Sequence, residues 1–96
     1  MTFLKRATMS DIDALGGEVL SDEVLQLPAG NAIRIHSRYT GDDQAGEFSS
    51  EELIYIIVNP RTIFYLIFSV PDYLFAEMES TFDTVAQEFS TGRPNT

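Results

Sequence analysis

The second half of this chain contains two short segments that are apolar at almost every position. They are residues 53–58 and 62–70, and a turn at residues 59–61 joins them. β-Branched and aromatic residues fill both segments, which is typical of strands in a pleated, buried surface. Apolar side chains occupy both alternating sets of positions, so both faces of this hairpin need a cover. A chain of 96 residues has little material from which to build two covers.

The other segments show the patterns of helices, strands and a loop. Apolar residues recur at helical spacing in residues 10–21 and 72–90, whereas the strand that contains His36 alternates apolar and polar residues. Pro28, Ala29 and Gly30 favour a three-residue hairpin loop with Gly30 in the left-handed conformation. The expected order is a flexible lead-in over 1–9, a helix over 10–21, strands over 23–27 and 31–39, a mobile loop over 40–50, strands over 53–58 and 62–70, a helix over 72–90 and a flexible end over 92–96.

This order of elements predicts a single α+β domain over residues 1–96. Strands that follow one another through short turns favour an antiparallel meander, so we expect a four-stranded sheet in chain order. We expect the N- and C-terminal helices to cover the same face of that sheet, which gives a two-layer sandwich. The C-terminal helix, which could be interrupted near Glu79, is expected to pack through Phe82, Val85, Ala86 and Phe89.

Three stretches carry a resemblance to a known superfamily. Residues 27–34 look like a Leu-Pro-x-Gly turn and strand, residues 55–58 and 64–68 look like paired central strands, and residues 82–90 look like a closing helix. Together they resemble the PsbP/Mog1-like superfamily, which includes LpqN-type proteins. The opening hairpin with its Trp has no counterpart here, so the resemblance implies a shortened form of that α+β domain. It implies no binding residue for this chain, because members of the superfamily differ in function.

The composition narrows the classes of partner. Six Lys and Arg against fifteen Asp and Glu give a formal net charge of −9. This disfavours nucleic acid and anionic membranes as partners, because both are bound by clustered basic side chains. The absence of Cys excludes disulfides, thiolate nucleophiles and cysteine-ligated zinc. Lys5 and Arg6 interrupt the apolar start of the chain, so we expect no signal peptide and a cytoplasmic location.

No segment carries an enzyme signature, a metal-spaced histidine pair or a glycine-rich phosphate loop. We therefore expect no catalytic residue, no metal and no cofactor. Alternation predicts that Arg34, His36 and Arg38 share one face of a strand, where they could bind an anion or pair with the abundant acids. Tyr55 and Tyr65, expected to face each other across the hairpin, complete the candidate ligand-binding set.

Two functions from different classes compete. The favoured one is a non-enzymatic interaction or assembly module that acts as a homodimer, because a partner chain is the simplest cover for the second sheet face. The candidate interface residues are Ile57, Ile63, Tyr65 and Ile67. The alternative is a small-molecule-binding protein or enzyme with a pocket near His36. A different protein partner, or acidic mimicry of nucleic acid, would also fit the charge.

Overall fold

The computed structural model of the protein describes residues 2–43 and 46–89. Four antiparallel strands form one sheet in the order β1-β2-β3-β4, with a helix before and a helix after it. The predicted α+β class and the four-stranded meander are therefore confirmed. Residues 92–96, expected to be flexible, lie outside the described residues. The elements are α1 Thr2–Ala14, β1 Gly17–Leu27, β2 Gly30–Asp43, β3 Gly46–Val58, β4 Ile63–Pro71 and α2 Asp72–Glu88.

The N-terminal helix begins and ends earlier than expected, and β1 begins earlier but ends at Leu27 as predicted. α1 includes most of the residues expected as a flexible lead-in and ends at Ala14, so the helix predicted over 10–21 is wrong in both bounds. Gly16 has a φ of 83°, a left-handed conformation that commonly ends helices. A Cβ on Gly17 would lie 2.5 Å from the ring of Tyr39, so the close approach of α1 and β2 requires glycine where β1 begins.

Within the stretch expected as a mobile loop over residues 40–50, the described residues 40–43 and 46–50 extend the central hairpin instead. β2 and β3 pair without a register shift from Asn31 opposite Val58 to Asp43 opposite Gly46. Phe48 lies opposite Gly41, and a Cβ on Gly41 would stand only 2.8 Å from the Phe48 ring. An aromatic ring that covers a cross-strand glycine shields the backbone at that point. The polar composition of this stretch therefore belongs to a two-stranded arm exposed to solvent.

The turn between β1 and β2 is one residue shorter than expected. Leu27 pairs with Gly30, which leaves only Pro28 and Ala29 in the loop. Gly30 has a φ of 152°, and a Cβ there would lie 2.5 Å from the carbonyl oxygen of Val58. The neighbouring strand β3, as well as the turn, thus favours glycine at this position.

The two helices lie on opposite faces of the sheet, so the molecule has three layers rather than the expected two. α2 packs on the face that carries Tyr55, and α1 packs on the face that carries Ile54. The first core cluster consists of Leu27, Ala32, Leu53, Tyr55, Ile57, Phe75, Phe82 and Ala86. The second consists of Ile12, Ile33, Ile35, Ile54 and Ile56. Ile12 is the buried residue of α1, so the cover on this second face is narrow.

α2 is one continuous helix without a break near Glu79. Phe82 and Ala86 are buried as expected, and the ring of Phe82 stacks on that of Phe68 at a centroid distance of 4.6 Å. Phe89, which follows the helix, is half-buried. Val85 is 44% exposed, so its predicted place on the packed face is wrong.

Candidate functional site

The Arg34 side chain joins three elements beneath α2. It lies on the face of β2 that α2 covers, and it is only 10% exposed. Its Nε lies 3.0 Å from Asp83 Oδ1 and 3.3 Å from the Tyr55 hydroxyl oxygen. Its Nη2 lies 2.6 Å from Glu79 Oε2, and its Nη1 is 3.7 Å from Glu23 Oε1 on β1. The hydroxyl of Tyr55 also donates a hydrogen bond to Asp83.

These contacts fix the charge of Arg34. Burial lowers the pKa of its guanidinium, but the hydrogen bonds and charges of Asp83 and Glu79 outweigh burial, so the pKa is raised above its ordinary value. The cavity beside Arg34, between β1 and α2, has a volume of about 260 Å³. Typical small-molecule sites measure roughly 300–1,000 Å³. The arginine is thus engaged by protein carboxylates beside a small cavity, which gives little support to a ligand-binding role.

His36 and Arg38 follow Arg34 on the same sheet face, as alternation predicts. His36 Nε2 lies 2.6 Å from Glu51 Oε1, and the imidazole stacks on the ring of Phe75 with a centroid distance of 4.2 Å. Arg38 Nη2 is 3.7 Å from the other carboxylate oxygen of Glu51. Glu51 is buried and therefore needs a hydrogen-bonding partner, which is His36, whereas Arg38 lies beyond hydrogen-bond distance. Packing against Phe75 and the hydrogen bond with Glu51 therefore explain His36.

Tyr55 and Tyr65 lie on opposite faces, so the expectation that they face each other is wrong. The register of β3 and β4 pairs Tyr55 with Leu66 and Ile56 with Tyr65. Tyr55 is buried under α2 beside Arg34, whereas Tyr65 is exposed on the α1 face. The predicted ligand-binding set is consequently divided, with Arg34, His36, Arg38 and Tyr55 on one face and Tyr65 on the other.

The predicted interface set is also divided. Ile57 pairs with Phe64 and is fully buried under α2, so it cannot share a surface with the other three residues. Ile63, Tyr65 and Ile67 lie together on the α1 face of β4, with exposed fractions of 43%, 49% and 58%. We call these three residues the β4 strip. It is open because α1 contacts mainly β1, at the far side of the sheet.

A groove with a volume of about 620 Å³ lies between α1 and β4. Sequence reasoning missed it, because the N-terminal helix was placed too late in the chain and on the same face as α2. Its lining residues are Ala7, Thr8, Asp11 and Ile12 from α1, Leu15 directly after that helix, Tyr39 from β2, Ser50, Glu52 and Ile54 from β3, and Tyr65, Ile67 and Ser69 from β4.

Glu52 and Tyr39 form a weakly hydrogen-bonded pair in this groove. The Tyr39 hydroxyl lies 3.5 Å from Glu52 Oε1, which is long for a hydrogen bond between oxygen atoms. Burial raises the pKa of Glu52, and the contact with Tyr39 offsets only part of that rise. Burial, together with the charge of Glu52, also raises the pKa of Tyr39. Among residues 2–43 and 46–89, no cationic side chain lies close enough to Glu52 to offset its burial.

Two further findings concern residues 2–43 and 46–89. Neither helix there is long and apolar enough to cross a membrane. The same residues contain no group of three or more His, Asp or Glu side chains arranged to hold a metal ion. Comparisons of the chain with family models, with curated proteins and with solved structures found no match. Membership of the PsbP/Mog1-like superfamily therefore stays a prediction.

Proposed function

We propose that this protein is a non-enzymatic interaction or assembly module of the cytoplasm that acts as a homodimer, joined edge to edge through β4. The observation that carries the proposal is the character of β4: its nine residues include no charged side chain. It is also the last strand of the sheet, and the β4 strip is exposed on it. A long, uncharged, apolar edge offers free backbone donors and acceptors to another strand.

The opposite edge of the sheet supports the choice of β4 by contrast. β1 carries Glu18, Asp22 and Glu23, and its pairing with β2 shifts register between Val19 and Ser21. Carboxylates and register irregularities on an edge disfavour the addition of another strand. Two copies that each carry a net charge of −9 repel each other, so association is favourable where the facing surfaces are uncharged.

An antiparallel pair of β4 strands is self-complementary. A two-fold axis perpendicular to the sheet would join the two sheets into one and keep α1 of both copies on the same side. The two β4 strips would then adjoin each other near the axis, where their apolar side chains gain contacts. The same axis closes the assembly at two copies, whereas pairing of β4 with the acidic β1 edge would continue into filaments.

The experiment compares two matched substitutions on the same sheet face. Ile67→Asp introduces a carboxylate at an exposed position of β4, and two copies of it would lie close together in the dimer. Val24→Asp introduces the same group at a position that is 75% exposed on β1, at the other edge. We expect light scattering at high micromolar concentration to give a dimer for the unmodified chain and for Val24→Asp, and a folded monomer for Ile67→Asp.

Circular dichroism of both variants checks that the sheet is intact. A monomeric mass for the unmodified chain at that concentration, or equal dissociation of both variants, would refute the proposal. A mass that grows without limit as the concentration rises would indicate pairing of β4 with β1 instead of the closed dimer.

A further inference from the structure

The groove between α1 and β4 has a polar end and an apolar end. The strand register creates this division, because residues opposite one another form levels across the sheet. At one end Glu52 stands opposite Ser69, and at the next level Ile54 stands opposite Ile67. The polar levels contain Tyr39, Ser50, Glu52 and Ser69, and the apolar levels contain Ile54, Ile67 and Tyr65. A molecule that fits this groove therefore has one polar and one apolar end.

The charges that line the groove determine which charge the polar end of a bound molecule should carry. The charged side chains that line it are Asp11 and Glu52, both of them carboxylates. The last turn of α1 carries no basic residue, so the negative end of the helix dipole is not neutralised by its own side chains. Ile12 and Tyr39 meet where a Cβ on Gly17 would stand, which places this end of α1 over the polar levels.

We propose that this groove binds an amphipathic organic cation, a small molecule with a primary ammonium head and an aromatic body. The ammonium would donate to the carboxylates of Glu52 and Asp11, and the aromatic body would lie on Ile54, Tyr65 and Ile67. The volume of about 620 Å³ falls within the range of small-molecule sites, roughly 300–1,000 Å³. The lining residues all belong to one chain, so the inference does not depend on the homodimer.

The test uses three probes that share an indole ring and differ in their head group. Tryptamine carries an ammonium, tryptophol a hydroxyl in the same place, and indole-3-propionate a carboxylate. We expect tryptamine to bind with one molecule per chain and to shift the NMR signals of Ile54, Tyr65 and Ile67. Tryptophol should bind roughly tenfold more weakly, because its hydroxyl can donate a hydrogen bond to Glu52 but carries no positive charge to form an ion pair with the carboxylate. Indole-3-propionate should not bind.

A matched pair of variants separates a site from general attraction to an acidic protein. Glu52→Gln removes one negative charge in the groove, and Glu18→Gln removes one from the opposite sheet face. On that face Glu18 stands opposite Arg38 in the register of β1 and β2. We expect Glu52→Gln to weaken tryptamine binding roughly tenfold and Glu18→Gln to leave it unchanged. Equal loss in both variants, or equal affinity for tryptamine and tryptophol, would overturn the proposal.

Two other outcomes are informative. Binding of a basic amphipathic peptide without binding of tryptamine would replace the small cation by a protein partner and so refute the proposal. Light scattering on the same samples gives the molar mass independently. One tryptamine per chain on a monomeric protein would support the groove while refuting the homodimer.

Discussion

At the scale of single residues, Arg34 holds β1, β2, β3 and α2 together through one guanidinium. Arg34→Met keeps much of the length of the side chain but leaves Glu79 and Asp83 without their counter-charge. We expect the free energy of unfolding to fall by about 1–3 kcal/mol, because hydrogen bonds to charged groups contribute this much and the carboxylates stay partly exposed. Urea denaturation at neutral pH measures the change. Arg38→Met is the control.

Arg38 is exposed, and within the part of the chain that the structure describes its contact with a carboxylate is the 3.7 Å approach to Glu51. Its replacement should change the free energy of unfolding by no more than about 0.5 kcal/mol, as is usual for surface substitutions. If the two variants lose the same stability, the Arg34 contacts do not connect the elements in the way described above.

Glu52 gives a prediction about pH. Its folded-state pKa is raised above the ordinary value of 4.5, so folding favours the protonated form and the charged form opposes folding at neutral pH. Glu52→Gln, which mimics the neutral form, should therefore raise the melting temperature at pH 7. The gain should shrink as the pH falls through the raised pKa, and it should vanish below 4.5, where the unmodified carboxyl is protonated in both states. A gain that persists unchanged in acid would contradict the burial of Glu52.

At the scale of elements, Phe82 and Val85 make a matched pair on α2. The ring of Phe82 is buried against Phe68 and Phe75, whereas Val85 is exposed. Phe82→Ala should lower the free energy of unfolding by about 3–5 kcal/mol, since it removes apolar contacts and leaves a cavity. Val85→Ala should change it little, and Phe89→Ala should have an intermediate effect, because Phe89 is half-buried directly after the helix. Thermal and urea unfolding of the three variants would test this order.

The elements that the sequence predicted well are those with strong periodic signals. The strand predicted over 62–70 and the helix predicted over 72–90 match β4 and α2 to within two residues at each end, whereas the strand predicted over 53–58 is only the last part of β3. α1 buries Ile12 and little else, which gives a pattern too weak to separate a helix end from the strand that follows. The outer arm of the β2–β3 hairpin is solvated and therefore has the amino-acid composition of a loop.

The candidate sites also show that local sequence patterns do not reveal contacts between residues distant in the chain. Alternation correctly placed Arg34, His36 and Arg38 on one face, but the partners of Arg34 on α2 are 45 and 49 residues away in the chain. No local pattern identifies such partners. The groove depends on which face α1 covers, and only tertiary contacts decide this choice.

At the scale of the whole molecule, the net charge and the apolar β4 strand have opposite effects on the association of two copies. The chain measures 52 × 28 × 20 Å, an elongated form to which the long β2–β3 hairpin contributes. Its charge of −9 opposes the approach of any second copy. This repulsion extends over about one Debye length, which becomes shorter as the salt concentration rises. The apolar character of β4 favours approach, and this contribution depends little on screening.

This balance predicts how the proposed dimer responds to salt. The Debye length falls from about 10 Å at 0.1 M salt to about 3 Å at 1 M, so added sodium chloride screens the repulsion between the two acidic chains. The proposed contacts through β4 would involve no ion pair between β4 side chains that salt could weaken, because that strand has no charged residue. We therefore expect the dissociation constant, measured by sedimentation equilibrium at several protein concentrations, to fall as the salt concentration rises. A constant that rises with salt would show that ion pairs join the copies, and another surface would then have to replace β4 as the interface.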